Sequence, residues 1–210
     1  MNIVPYFKQQ KNTTCSLAVL RMVLAFHGIQ IEEKQLVQQV EKDYGKKFKN
    51  IWNPTIAKLA LQYGIKTTLI SDWPLLKPRN LKTAIKQYTE NPSEFNYREY
   101  ENENDTDHLP EPLPLAYTEF FQAIKLGLDT KHTQITEQLL KKQLSQYLLL
   151  ISIKLQKVYP NKKGYHSILL YQYKDKNVFY HDPSYGQSLQ ISIKKLLEAT
   201  TDVGAAILFA

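Results

Sequence analysis

The chain has 210 residues, 43% of them hydrophobic, and a formal net charge of +7 from 27 basic and 20 acidic residues. That is enough chain to bury one sizeable core, and no apolar run reaches the roughly 20 residues a membrane-spanning helix needs. One cysteine excludes an internal disulfide and suits a reducing compartment. The start, Met1 to Lys8, lacks the basic and apolar regions of a signal peptide. The expectation is a cytoplasmic protein, or one exported without such a peptide.

Asn12, Thr13 and Thr14 are N-cap residues, and the apolar run behind them is closed by Gly28. A buried helix is therefore expected from Cys15 to the stop at Gly28. Cys15, the one cysteine, would sit in its first turn, where unpaired N–H groups and the helix dipole favour a thiolate. Alone, a cysteine more often packs as a small buried hydrophobe. Residues 31–44 form an amphipathic helix, with Ile31, Leu36, Val37 and Val40 near 3.6-residue spacing. Residues 52–63 form another, opened by Asn53-Pro54 and closed by Gly64, with a strand over 65–71.

The charge is uneven. Between Glu90 and Glu111 there are eight acids and one base, Arg98. This stretch sits in a segment, residues 73–133, that also holds Pro110, Pro112 and Pro114 and a helical stretch over 115–128. Its acidity against a basic body suits either a solvated loop or docking that weakens with salt. The bases elsewhere are scattered, without interleaved aromatics at a motif spacing, so nucleic acid is not expected as a partner. The five histidines (27, 108, 132, 166 and 181) show no metal-ligand spacing, and no metal or cofactor is expected.

A helix over 137–147 runs into a strand over 148–155. Two β-prone runs, 167–173 and 178–180, then flank a polar turn at Lys174 to Asn177 and read as a hairpin. His166 opens its first strand and Asp182 ends its second, so both fall at the open end. A histidine beside an aspartate takes a proton from a thiol while the carboxylate fixes the ring tautomer. His181 is the rival base, but strand alternation turns it away from Asp182. A helix over 192–199 and a strand over 205–209 complete the chain. Helices early and strands late predict an α+β fold.

Gln9 lies six residues before Cys15, and Asp182 lies sixteen after His166 in an Asp-Pro-x-x-Gly turn that includes Pro183 and Gly186. With these spacings the sequence resembles the double-glycine leader peptidases of bacteriocin processing, a papain-like family, and their stand-alone bacterial relatives. The resemblance covers residues 1–72 and about 134–210, which makes 73–133 a large insert in a single domain spanning 1–210. It implies a papain-like cysteine protease fold, with N-terminal helices packed on a C-terminal antiparallel sheet. It implies Cys15 as nucleophile, His166 as general base, Asp182 as its orienter and Gln9 as oxyanion donor. The partner it implies is a peptide or protein substrate. Ser16 stands where the family has glycine, and the Cys15-to-His166 spacing exceeds the family's. The same residues would also serve glutamine deamidation or acyl transfer, or would persist in a non-catalytic peptide-binding module. The insert, falling between the two halves of the fold, is expected to border the cleft as a lid.

Overall fold

The computed structural model describes residues 3–44, 51–96, 113–200 and 204–210. The apolar run after Thr14 folds into α1 (Cys15–Phe26), with Leu17, Leu20, Met22 and Leu24 fully buried. Helices α2 (Glu33–Tyr44) and α3 (Asn53–Gln62) follow, the latter with Pro54 in its first turn, where a missing N–H costs nothing. Then come β1 (Thr67–Ser71), α4 (Pro78–Glu90), α5 (Leu113–Lys125) and β2 (Asp129–His132). The last third holds α6 (Glu137–Gln143), β3 (Leu148–Lys154), α7 (Leu155–Val158) and β4 (Tyr165–Lys174). It ends with β5 (Asn177–Asp182), β6 (Gly186–Ser192), α8 (Ile193–Thr200) and β7 (Ala205–Phe209).

The strands form one seven-stranded sheet in the order β2-β1-β7-β3-β4-β5-β6. Every neighbouring pair is antiparallel except β1 and β2. Period-two alternation gives each strand two faces, and both are covered. On one face Leu69, Leu150, Leu169 and Ile207 pack with residues of α1 to α5. On the other Leu149, Ile151, Ile168 and Leu170 pack with α6 and α8. The expected α+β fold is present, with the sheet lying between two helical layers.

The β4–β5 hairpin turns through Asp175 and Lys176, both at positive φ (51° and 60°), between the paired residues Lys174 and Asn177. That left-handed pair matches the twist of the strands it joins. The turn therefore falls where the sequence predicts it. β5 ends at Asp182 as expected, while β4 starts one residue before His166, at Tyr165.

Within 73–133 the structure describes residues 73–96 and 113–133. Leu75, Ala84, Tyr117, Phe120 and Phe121 are buried in the helical-layer core. Trp73 meets Trp52 edge to face at 5.2 Å, and Tyr88 stacks on Phe121 at 4.2 Å. Helix α5 packs on α3, and β2 pairs with β1. Most of the acidic stretch that carries the lid expectation falls on 97–112, outside the described residues.

Candidate active site

Helix α1 places Cys15 at its first position, with Thr14 as N-cap. The Thr14 side chain makes no capping bond to the helix. Its hydroxyl is engaged by Glu33 and by the preceding turn instead. Cys15 is half-buried.

The hairpin supplies the facing groups. His166 is the second residue of β4 and Asp182 the last of β5. With Leu169 opposite His181, His166 lies diagonally across from Asp182, within reach of an imidazole. His166 Nε2 and Asp182 Oδ1 are 2.7 Å apart, with 5% and 0% of the two side chains exposed. The ring also hydrogen-bonds Cys15, and with Nε2 committed to Asp182 the nitrogen left for sulfur is Nδ1.

Asp182 is held from every side. Its Oδ1 also accepts the N–H groups of Ser184 (2.8 Å) and Tyr185 (3.1 Å), and Oδ2 accepts the Tyr159 hydroxyl at 2.9 Å. The Ser184 and Tyr185 bonds make the Asp-Pro-Ser-Tyr-Gly segment an Asx turn. A fully buried carboxylate is tolerable only with such satisfaction. Tyr185 lies tilted against Tyr159 at 4.0 Å and meets His166 edge-on at 6.0 Å, so two rings cover the His166–Asp182 pair.

The electrostatics follow. Burial pushes the Cys15 thiol up, but the His166 ring and its charge, with the N–H and hydroxyl of Ser167, outweigh it and bring the thiol below its ordinary value. Burial pushes His166 down, yet hydrogen bonds to Asp182 and Cys15 and their charges raise it to about 9. Both shifts favour the thiolate–imidazolium form of the pair over the neutral one. Burial, then Tyr180 and Asp182, push the Tyr159 hydroxyl up, which keeps it a proton donor.

The four residues singled out from sequence do not all meet in the same way. Cys15, His166 and Asp182 form one chain of hydrogen bonds. Gln9 joins through its backbone, whose N–H donates to the Pro183 carbonyl at 3.0 Å. Its side chain bonds none of the three: Nε2 donates to the Lys11 carbonyl at 2.9 Å, and Oε1 is buried without a partner. His181 lies on the opposite sheet face. One ring nitrogen meets the Val4 carbonyl at 3.0 Å and the other accepts the Ser188 N–H at 3.0 Å. Burial also holds its pKa below the usual value, so it stays neutral and occupied.

Sequence reasoning missed Tyr159, Ser167 and Tyr185. Ser167 directly follows His166, so strand alternation sends its side chain to the α1 face, a readable signal. Tyr159 had none. A cavity of about 460 Å³ lies at the other end of α1, walled by Val4, Phe26, Tyr147, Tyr171 and Phe209. It borders His181 but excludes Cys15, His166 and Asp182.

The fold is that of the papain-like C39 peptidases. It is similar to a double glycine motif protease from an AMS/PCAT transporter, solved in complex with the leader peptide. That match has 16% identity and a TM-score of 0.52, over 99% of this chain and 91% of that one. It is also similar to a C39-like peptidase from Bacillus anthracis, with 13% identity and a TM-score of 0.50 over 99% and 94% of the two chains. The chain belongs to the Peptidase_C39-like family, matched over residues 1–200. No curated protein matches it. Among the described residues no helix is long and apolar enough to cross a membrane, and no cluster of metal-ligating side chains occurs.

Proposed function

We propose that the protein is a cysteine peptidase cleaving a peptide or protein amide, with Cys15 as nucleophile, His166 as general base and acid, and Asp182 as its orienter. The observation that carries this is His166 itself: one ring nitrogen on a fully buried carboxylate, the other on a half-buried thiol at a helix N-terminus. A structural histidine has no need of both. The family and the neighbour bound to a leader peptide support a peptide as substrate.

In this mechanism the Cys15 thiolate attacks the carbonyl carbon, forming the C–S bond as the carbonyl π electrons move to oxygen. The His166 imidazolium then protonates the leaving amine as the C–N bond breaks. Water, deprotonated by the now neutral imidazole, then adds to the thioester carbon, and as the carbonyl re-forms the C–S bond breaks, which releases the acid and restores the thiolate beside the protonated ring. Asp182 keeps the ring in the tautomer and orientation these transfers need. The oxyanion meets N–H groups of the α1 first turn and Gln9, whose Nε2 has a second hydrogen beyond the one given to Lys11. Each such donor is worth about 3 kcal/mol in the transition state. We read the domain as one unit over 1–210, with 73–133 as an insert, since both share one core.

A proteome incubated with wild type and with Cys15→Ala should show new peptide termini only with wild type. Glutamate in place of glutamine, without new termini, would replace peptidase by deamidase. No difference between the two samples would leave a non-catalytic module.

A further inference from the structure

Glu33 is the first residue of α2 and 0% exposed. An acid in a helix's first turn normally faces solvent and needs only the helix dipole. This one faces another segment. Its Oε1 accepts the Gln10 N–H at 3.0 Å and lies 2.6 Å from the Thr14 hydroxyl, itself on a fully buried residue. Thr14 immediately precedes Cys15, and Gln10 immediately follows Gln9.

The bonds continue inward. Thr14 Oγ1 accepts the Lys11 N–H at 3.1 Å. The Lys11 carbonyl takes the Thr14 N–H at 3.1 Å and Gln9 Nε2 at 2.9 Å. A hydroxyl has one proton, and the closer acceptor, Glu33 Oε1 at 2.6 Å against the Lys11 carbonyl at 2.9 Å, claims it. Thr14 therefore donates to Glu33, which leaves the Lys11 carbonyl to the Thr14 amide and Gln9. The result is an unbroken frame from Glu33 through Thr14 and Lys11 to the Gln9 amide, with Cys15 at one end of the turn and Gln9 at the other.

We propose that Glu33 is a positioning residue: its buried carboxylate sets the Gln9–Cys15 turn so that the Gln9 amide and the Cys15 sulfur face one reacting carbonyl. The inference rests on the hydrolase reading above and adds to it a residue from α2, outside both motifs. Glu33 touches no substrate and acts through Thr14 and the Gln10 amide.

The full-length protein tests it with two probes. Iodoacetamide reports the Cys15 thiolate. The peptide aldehyde acetyl-Gly-glycinal reports the oxyanion donors, because the thiolate adds to the aldehyde carbon, the C=O π bond opens, and the new oxyanion takes its proton from the His166 imidazolium. Aldehyde affinity is read as protection of Cys15 from alkylation. Glu33→Ala should alkylate within about twofold of wild type but bind the aldehyde at least about tenfold more weakly, as expected for a misplaced oxyanion donor. Glu33→Gln, which keeps the accepting oxygen, should recover most of that loss. Thr14→Val, which removes the hydroxyl at constant volume, should reproduce it if Glu33→Ala fails to fold. Gln9→Ala should cost as much as Glu33→Ala, and the double variant little more.

Unchanged aldehyde affinity in folded Glu33→Ala or Thr14→Val overturns the inference alone. Equal loss of alkylation and aldehyde binding, tracking the melting temperature, also overturns it in favour of a purely structural acid. An aldehyde that fails to protect even wild type overturns the hydrolase reading, and the inference with it.

Discussion

Two buried charge clusters in this molecule look alike on paper and differ in kind. One is Cys15–His166–Asp182. The other joins Lys58 of α3 to Asp43 of α2 at 2.8 Å and to Glu119 of α5 at 2.6 Å, with Gln122 at 3.3 Å. Lys58 and Glu119 are at least as buried as His166, at 5% and 1% side-chain exposure. In the second cluster a lysine with three acceptors fastens helices together, and burial pushes the Glu119 carboxyl up despite the Lys58 ammonium beside it. In the first, the raised imidazole and the lowered thiol shift one proton from sulfur toward nitrogen, and the thiol belongs to a half-buried residue. Burial and ion pairing alone therefore do not mark a site. A mobile proton beside an accessible nucleophile does.

The sharpest test of that contrast exchanges chemistry for stability. Cys15→Ala should lower turnover of an identified substrate by at least about 10⁴-fold, the scale seen when a nucleophile is deleted from a triad. Its melting temperature should stay within a few degrees, since a half-buried first-turn side chain loses little packing. Lys58→Met should do the reverse. Removing one partner of a buried pair costs about 3–5 kcal/mol, because the buried Glu119 carboxyl is left without its cation. Alkylation of Cys15 in the folded fraction should not change. A Lys58→Met protein of normal stability but altered Cys15 reactivity would erase the distinction.

The two histidines next to the site sharpen the same comparison. His166→Ala should slow iodoacetamide alkylation at pH 6 by about tenfold or more, since the imidazolium holds the thiolate. His181→Ala should change it little, because both its ring nitrogens are spent on Val4 and Ser188. The pH dependence follows from His166. Its folded value near 9 lies above an unfolded value of about 6.5. Its stabilising contribution is thus fully present below pH 6.5 and lost as pH rises through about 9. Hydrolysis should fall over the same upper limb, where no imidazolium remains for the leaving amine. A kcat/KM profile flat to pH 10 would remove His166 from that role.

What the sequence disclosed was whatever depends on near neighbours. Cys15, His166 and Asp182 could be placed because a capped apolar run and an alternating hairpin each set a residue at a definite end. The β5 residues and the Asx turn were readable for the same reason. Strand β2, Asp-Thr-Lys-His, was not: nothing in it favours a strand except the β1 edge it pairs with. Strand β6 escaped because only Ile191 of its seven residues is buried. Helix α4 escaped because its stripe of Leu81, Ala84, Ile85 and Tyr88 is mostly half-buried. Lys58 and Glu119 meet across 61 positions, and Gln10 and Glu33 across 23. Such pairings belong to the packed fold, and local pattern carries no trace of them.

Tyr159 marks the fine end of the comparison. Its hydroxyl donates to Asp182 Oδ2 at 2.9 Å, while Oδ1 already has three donors. Tyr159→Phe keeps the ring against Tyr185 and removes one bond from a carboxylate that retains the rest. A hydrogen bond to a charged group is worth about 1.5–3 kcal/mol, and the remaining donors absorb part of that loss. The carboxylate then becomes a slightly better acceptor for the imidazole proton, so His166 should titrate higher, not lower. The upper limb of the activity profile should move up by a few tenths of a pH unit, and maximal turnover should fall by less than about tenfold. A downward move of that limb would mean that Tyr159 holds His166 in place by shape, through Tyr185, and not through the charge on Asp182.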